Sequence, residues 1–281
     1  MAEAAAAIRL QDVTRVYRRP RTSLRHASPP VHALRGVSLE IAAGERFGIV
    51  GESGCGKSTL LRIVAGLDHP TSGTVEVEGR RVSGLPEKRL RHLRETLQLV
   101  FQDPMSSLDP RMRVRDIVAE PLVAQGHGSS RARVVELLEA VGLRAEAADR
   151  YPHQFSGGQR QRISSARALA PRPRIIVADE PVSALDVSVR AQVLNLIADL
   201  VDELQLTLVL VSHDLSVVRH VCDRVAVMHD GRVVETGPVE QVYERPQHPY
   251  TRRLVAAVPT LEKALAGATP ADLAQEMEAP A

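Results

Sequence analysis

The chain has 281 residues, and its 36 lysines and arginines against 34 aspartates and glutamates leave a formal net charge of +2. A charge balance this even gives no argument for nucleic-acid binding. The sequence contains no run of about eighteen apolar residues, so it predicts no membrane-spanning helix. The length suffices for one large domain with an appendage, and two cysteines without pairing spacing, Cys55 and Cys222, fit a reducing compartment.

The first part of the chain predicts a frayed end and a long loop. Residues 1–7 are small and mostly uncharged, and we expect them to be disordered. The stretch from Arg18 to Arg35 is basic and contains several prolines, and it predicts an extended loop between two antiparallel strands. A solvated loop is the favoured interpretation, and contact with phospholipid head groups is the alternative.

A glycine-rich loop then lies between a predicted strand and a predicted helix. The apolar run Phe47–Val50 precedes it, residues 51–59 fit the pattern G-x-x-x-x-G-K-[ST], and an apolar helix pattern starts at Leu60. Backbone N–H groups of such a loop bind phosphate at a helix N-terminus, and glycines let the backbone curl around it. Lys57 would reach the β- and γ-phosphates of a triphosphate, and the Ser58 hydroxyl would ligate Mg²⁺. The alternative is a turn that only opens a helix. The predicted nucleotide-binding residues of the loop are Gly51, Glu52, Ser53, Gly54, Cys55, Gly56, Lys57, Ser58 and Thr59.

The middle of the chain predicts helix after helix. Apolar patterns indicate helices at Val114–Gln125, Ser130–Val141 and Gly158–Ala170, and we expect an inserted helical subdomain over about residues 103–172. The last of these helices begins with the glycine-flanked stretch Ser156–Gln159, which has no role in its own strand–loop–helix unit. Elsewhere strands and helices alternate, which favours an α/β fold with a mainly parallel sheet.

Two later apolar runs each end in polar residues, as buried parallel strands do at a ligand crevice. The run from Arg174 to Ala178 is followed by Asp179, which would hold Mg²⁺, and by Glu180, which would polarise an attacking water. A second run ends at His213, which could hydrogen-bond a γ-phosphate. The alternatives are a solvated strand end for the acids and a structural role for the histidine.

The C-terminal part of the chain predicts a helix, a hairpin and a second helix. The helix over residues 187–204 carries an apolar stripe from Val193 to Leu204. The Asp230-Gly231 turn predicts a hairpin, and Pro249 opens a short final helix. We expect the alanine-rich tail past Leu261 to be loosely held.

At this point the chain resembles the ATP-binding cassette (ABC) ATPases over roughly residues 8–260. Ser156–Gln159 matches the signature loop of that family, Gln102 its Q-loop, residues 183–186 its D-loop, and His213 its switch histidine. The resemblance implies a P-loop NTPase fold with a mainly parallel core sheet, an N-terminal antiparallel β subdomain and an inserted helical subdomain. It places the ABC ATPase domain at residues 8–245 and a C-terminal extension at residues 246–281.

The resemblance also implies ATP hydrolysis with ATP and Mg²⁺ bound. The implied catalytic residues are Glu180, His213, Gln102 and Lys57, and the implied metal ligands are Ser58, Gln102 and Asp179. Tyr17 matches the aromatic residue that stacks on adenine. In this family two ATPase domains meet head to tail, and each caps the other's ATP. The residues that would act in trans are Ser156, Gly157, Gly158, Gln159 and Asp186.

Three stretches are similar to the ATPases of oligopeptide, dipeptide and nickel importers, namely residues 100–110, residues 180–189 and the His248–Leu254 motif. This similarity implies a second, related ABC ATPase subunit, two transmembrane permease subunits and, indirectly, an extracytoplasmic solute-binding protein. It implies no nucleic-acid partner and a peripheral position on the cytoplasmic face of the cell membrane. Peptides are the first expectation for the solute, with nickel or another small solute left open.

Alternatives remain within and outside this family. The chain could be the ATPase of an exporter or a soluble ABC protein, although the first often carries fused membrane helices and the second usually carries two cassettes. A regulatory subunit that binds ATP without hydrolysing it is disfavoured because Lys57, Asp179, Glu180 and His213 are all present. A phosphate-loop kinase or GTPase would leave the Ser156–Gln159 stretch unexplained.

Overall fold

The computed structural model describes residues 6–18, 30–102, 107–128 and 130–258. Most of the predicted basic loop, the first five residues and the tail lie outside the described residues. The strands are β1 (Ala6–Tyr17), β2 (Val31–Ala42), β3 (Arg46–Val50), β4 (Ser72–Val77), β5 (Arg80–Arg81), β6 (Leu97–Val100), β7 (Ile175–Asp179), β8 (Thr207–Ser212), β9 (Arg224–His229) and β10 (Arg232–Pro238).

The helices alternate with these strands except in the middle of the chain. They are α1 (Lys57–Val64), α2 (Arg91–Thr96), α3 (Val114–Ala124), α4 (Arg131–Ala140), α5 (Gly157–Leu169), α6 (Val187–Glu203), α7 (Leu215–Val221), α8 (Val239–Glu244) and α9 (Pro249–Ala256). Short 3₁₀ turns lie at Glu87–Arg89, Ala145–Asp149 and Pro152–Gln154. Among the described helices, none combines the length and the apolarity needed to cross a bilayer.

A mainly parallel sheet forms the centre of the described structure, as the sequence predicts. Its order is β10-β9-β3-β8-β7-β6, and every neighbouring pair is parallel except β9 with β10. The side chains of β8 are all buried, which explains why that strand is a continuous apolar run rather than an alternating one. Because β3, β7 and β8 run in one direction, the loops that follow them meet at one edge of the sheet.

An antiparallel sheet of order β2-β1-β4-β5 packs beside it, as expected for an N-terminal β subdomain. Two boundaries differ from the predictions. Ala6 and Ala7 are not disordered, because the antiparallel pairing of β1 with β2 starts at Ala6, opposite Ala42, and Ala7 is fully buried. Strand β2 already begins at Val31, so the predicted loop ends before Arg35.

Between β6 and β7 the described chain is helical. Helices α3, α4 and α5 lie within two residues of the predicted boundaries, and their buried aliphatic side chains, such as Ile117, Leu138 and Ile163, share one core. The apolar stripe of α6 is also buried from Val193 to Val201. Leu204 is an exception, because it lies just past the end of this helix and is 49 % exposed.

The predicted hairpin joins β9 to β10 through Asp230 and Gly231, whose φ angles of 46° and 75° are those of a left-handed two-residue turn. Glu235 on β10 then accepts hydrogen bonds from the backbone N–H groups of Gln247 and His248, at 2.9 Å each. These two bonds fix the entry into α9, and they attach the last described helix to the edge of the central sheet.

Gly48 on β3 provides a test of how closely α7 packs on the sheet. A Cβ at this position would lie 2.1 Å from Val218 Cγ1, and Val218 is fully buried. We expect Gly48→Ala to lower the free energy of unfolding by about 1–3 kcal/mol, the usual cost of overpacking a core, in a urea titration. In a Val218→Ala background the same substitution should cost clearly less; an equal cost would show that the contact is not the cause.

Candidate nucleotide-binding site

The phosphate loop lies between β3 and α1, and its positions require glycine for two different structural reasons. A Cβ at Gly51 would lie 2.2 Å from Met228 O, and one at Gly56, where φ is 109°, would lie 2.4 Å from Ala33 O. These two glycines let neighbouring backbones approach the loop. Gly54 has a φ of 84° and open space in front of it, so its backbone can face a bound anion.

The ammonium group of Lys57 lies inside this loop. Its Nζ donates to Gly51 O at 2.6 Å and to Glu52 O at 3.0 Å, and the residue is only 5 % exposed. A phosphate anion would compete with these two carbonyls for the same cation. Cys55 is buried beside it, and this burial raises the pKa of the thiol, partly opposed by Lys57. An inert thiol is therefore expected.

Three side chains predicted to be catalytic meet beside the loop, each from the end of a different strand. Glu180 Oε2 accepts a hydrogen bond from Gln102 Nε2 at 3.3 Å and lies 3.1 Å from His213 Nδ1. Glu180 follows β7, Gln102 follows β6 and His213 follows β8, so the parallel sheet itself produces the cluster. Glu180 also has a φ of 45°, a strained conformation for a glutamate and one that is common at functional sites.

Asp179 and Ser58 form a pair of oxygen donors next to this cluster. Partial burial and the charge of Glu180 raise the pKa of Asp179, while a hydrogen bond with the Ser58 hydroxyl and the nearby Lys57 ammonium oppose that rise. Carboxylate and hydroxyl oxygens are ligands that Mg²⁺ prefers, so the two residues fit that ion. Gln102, the third predicted ligand, directs its amide nitrogen to Glu180.

The Ser156–Gln159 stretch starts helix α5 and caps it. Ser156 Oγ accepts from the Gln159 backbone N–H at 3.4 Å, and Gln159 Oε1 accepts from the Ser156 N–H at 3.1 Å. Gly157 faces Leu185, and a Cβ at Gly158 would lie 2.4 Å from Val189 Cγ1. None of these contacts involves the phosphate loop.

Asp186 also has no contact with that loop among its described interactions. It precedes α6 and is exposed, and its neighbour Val187 is 81 % exposed. The residues predicted to act in trans thus start α5 and α6, with Ser156, Gly157, Gln159 and Asp186 exposed and Gly158 buried.

Tyr17 lies at the end of β1, where its hydroxyl donates to Asp68 Oδ2 at 2.6 Å. The guanidinium of Arg15 lies 4.5 Å from the ring centroid. One face of the ring therefore already has a cationic neighbour. Adenine stacking on Tyr17 stays a prediction.

Tyr250 contacts the phosphate loop although the sequence does not assign it a site role. Its hydroxyl accepts a hydrogen bond from the Glu52 backbone N–H at 2.9 Å, and its ring stacks on His229 at a centroid distance of 4.0 Å. The only signal in the sequence is the His248-Pro-Tyr motif, which indicates a subfamily but no contact with a loop almost two hundred residues earlier.

The fold agrees with solved ABC cassettes. A dimeric structure of the ATP-binding cassette MJ0796, in a post-hydrolysis state bound to ADP and Pi, is 34 % identical. It has a TM-score of 0.73, and the match covers 83 % of this chain and 98 % of that one. The cbiO1 protein from Clostridium perfringens, part of the ABC transporter complex cbiONQ, is 28 % identical, also with a TM-score of 0.73. That match covers 86 % of this chain and 92 % of that one.

Curated relatives are similar over most of the chain. The di/tripeptide transport ATP-binding protein DppF of Pseudomonas aeruginosa (strain UCBPP-PA14) is 49 % identical over 89 % of this chain and 78 % of its own length. The oligopeptide transport ATP-binding protein OppD of Mycobacterium tuberculosis (strain ATCC 25618 / H37Rv) is 50 % identical over 95 % of this chain. The chain spans only 44 % of the length of that relative.

Two family models match the chain. Residues 34–183 match the model described as ABC transporter, and residues 234–280 match the model described as oligopeptide/dipeptide transporter, C-terminal region. The second match confirms the subfamily that the His248–Leu254 motif predicts. With the phosphate loop, the strand-end cluster and these matches in agreement, the chain belongs to the ABC transporter family.

Proposed function

We propose that this chain is the ATP-hydrolysing subunit of an ABC importer and that it energises the uptake of oligopeptides or dipeptides. The observation that carries the proposal is the meeting of Glu180, Gln102 and His213 next to Asp179, a residue that interacts with both Ser58 and Lys57 of the phosphate loop. A subunit that only binds ATP has no need for such a cluster. The names of the relatives, which include dipeptide and oligopeptide transport ATP-binding proteins, support peptides as the solute.

In this proposal the loop binds the triphosphate of ATP. Lys57 would exchange the carbonyls of Gly51 and Glu52 for oxygens of the β- and γ-phosphates, and the N–H groups at the start of α1 would bind the same anion. Ser58 and Asp179 would hold Mg²⁺, with Gln102 close by. Bound there, the ion would neutralise charge on the β- and γ-phosphates.

Hydrolysis then needs a base, and Glu180 is the residue we propose for it. Its carboxylate would take a proton from water as the oxygen attacks the γ-phosphorus and the bond to ADP breaks. His213 lies against the same carboxylate and would form a hydrogen bond with the γ-phosphate. Gln102 would position the water and report the state of the site to the helical region that follows it.

The site of one chain is completed by a second ATPase subunit in this proposal. The start of α5 is a helix N-terminus whose backbone N–H groups favour an anion, and Ser156, Gly157 and Gln159 there are exposed. They would therefore cap ATP held by a partner. The dimeric structures of the MJ0796 cassette support a dimer. The resemblance to the peptide importers favours a related chain as the partner.

A groove between the central sheet and the helical region is the proposed docking surface for a membrane subunit. It has a volume of about 970 Å³ and lies between α2, β6 and α3. Its wall combines the exposed apolar side chains of Leu67 and Phe101 with the charged Arg91 and Glu120. A helix of a permease subunit with an apolar face would fit there, which would place the chain at the cytoplasmic face of the membrane.

The test measures ATPase activity of the purified chain alone, and again with candidate partner ATPase and permease subunits in proteoliposomes. With a peptide-binding protein and labelled dipeptide, we expect activity to rise sharply only in the mixture and dipeptide to accumulate. Labelled nickel, the alternative solute, is tested in a parallel uptake assay. Full activity from the chain alone, unchanged by any partner, would contradict the importer and point to a homodimeric or soluble ABC protein.

A further inference from the structure

We propose that Tyr250, in the C-terminal helix α9, is a positioning residue that sets the affinity of the phosphate loop for ATP. The proposal deepens the function above and rests on it, because it assumes that this loop binds the triphosphate. The C-terminal region contains none of the clustered residues Glu180, Gln102 and His213. Through Tyr250 it would nevertheless contribute to nucleotide binding, by positioning the loop.

The contact is a single hydrogen bond in a buried setting. Tyr250 Oη accepts from the Glu52 N–H at 2.9 Å, and Tyr250 is only 2 % exposed. The ring is fixed by stacking on His229 of β9, with an angle of 25° between the two planes. Burial raises the pKa of the phenol to about 12, so the hydroxyl keeps its proton at neutral pH.

The peptide group that Tyr250 contacts is the same one that Lys57 contacts. The N–H of the Gly51–Glu52 peptide donates to Tyr250 Oη, while the carbonyl of that peptide, Gly51 O, accepts from Lys57 Nζ at 2.6 Å. The two side chains therefore hold opposite ends of one peptide plane. Without the hydroxyl, this plane is free to rotate, and the loop then samples backbone conformations other than the one that binds the triphosphate.

The helix that carries Tyr250 is itself attached to the sheet next to the loop. Glu235 accepts the N–H groups of Gln247 and His248, and His248 Nδ1 accepts the Tyr250 N–H at 3.2 Å. The β9–β10 hairpin makes a second contact with the loop, besides that of Tyr250, because the Gly231 N–H donates to Cys55 O at 3.0 Å. Segments from the C-terminal part of the chain thus hold the loop at its beginning and near its middle.

The test is Tyr250→Phe, which removes the hydroxyl and keeps the ring. By calorimetry with Mg²⁺ and the non-hydrolysable analogue AMP-PNP, we expect the Kd to rise about tenfold, the factor that corresponds to one ordinary hydrogen bond. In the assembled complex, KM for ATP should rise by a similar factor while kcat at saturating ATP changes less than about twofold. The matched control is Tyr243→Phe on α8, whose ring lies under Arg219 and has no described contact with the loop.

Amide hydrogen exchange gives a readout that does not depend on activity. In the wild type the Glu52 amide should exchange slowly for a residue in an exposed loop, and Tyr250→Phe should accelerate it about tenfold. A rapidly exchanging Glu52 amide in the wild type would overturn the proposal even if the variant failed to fold. So would an AMP-PNP affinity in Tyr250→Phe equal to that of the wild type. Absence of AMP-PNP binding by the wild type itself would instead overturn the proposed function.

Discussion

Glu180→Gln is expected to slow ATP hydrolysis by the assembled complex by about 10²–10⁴, the usual contribution of a positioned base, while ATP binding stays intact. The physical reason lies in the cluster. Glutamine keeps the size of the side chain and can still accept from Gln102 through its amide oxygen, but it cannot take a proton from water. The measurement is phosphate release at saturating ATP, with AMP-PNP affinity determined alongside.

The matched control is Glu244→Gln, the same chemical change on an exposed residue of α8. It should hydrolyse ATP at the wild-type rate. Hydrolysis at the wild-type rate by Glu180→Gln as well would show that Glu180 is not the base. A large loss of AMP-PNP affinity in that variant would show that the carboxylate acts in binding rather than in the chemical step.

Lys57→Ala is expected to weaken AMP-PNP binding and ATP turnover together, each by about 10²-fold or more, as loss of a buried charged donor does elsewhere. The Lys57 ammonium is the cation of the loop that can form an ion pair with the phosphates. Among the described hydrogen bonds, no other cation contacts Gly51 O or Glu52 O. Calorimetry on the isolated chain checks the binding, and phosphate release from the complex checks the turnover.

Lys88→Ala is the control for this charge change in the binding measurement on the isolated chain, because Lys88 is exposed and lies in the groove rather than the loop. It should bind AMP-PNP as the wild type does. Circular dichroism checks that Lys57→Ala is folded, because removing the ammonium leaves the carbonyls of Gly51 and Glu52 without this donor. Tight AMP-PNP binding by a folded Lys57→Ala variant would contradict the assignment of the phosphate loop.

Much of the central fold could be predicted from the sequence because buried parallel strands need uninterrupted apolar runs. The strands β3, β7 and β8 follow from this rule, and their order in a parallel sheet then places Asp179, Glu180 and His213 at one edge. The Asp-Gly turn predicts the hairpin in the same direct way. The start of β1 at Ala6 could not be predicted, because alanines carry no periodic pattern and are common in helices, strands and frayed ends.

The residues of the site could be predicted wherever a motif is continuous in sequence. The phosphate loop needs its glycines and Lys57 next to one another, so a single continuous motif predicts that part of the candidate site. The contact from Tyr250 could not be predicted, because it joins residues 198 positions apart and depends on how α9 docks on β10. Similarly, the close approach of Met228 O explains Gly51 better than any property of phosphate does.

The packing of Gly158 against Val189 has a consequence for how the molecule would transmit force. Since even a methyl group at position 158 would meet Val189 Cγ1 at 2.4 Å, the first turns of α5 and α6 are in close contact there. We therefore expect a tilt of α5 to move the start of α6, and Asp186 with it. In the proposed dimer, a partner subunit would then engage or release both motifs together, and we expect no accumulation of an intermediate with only one of them engaged.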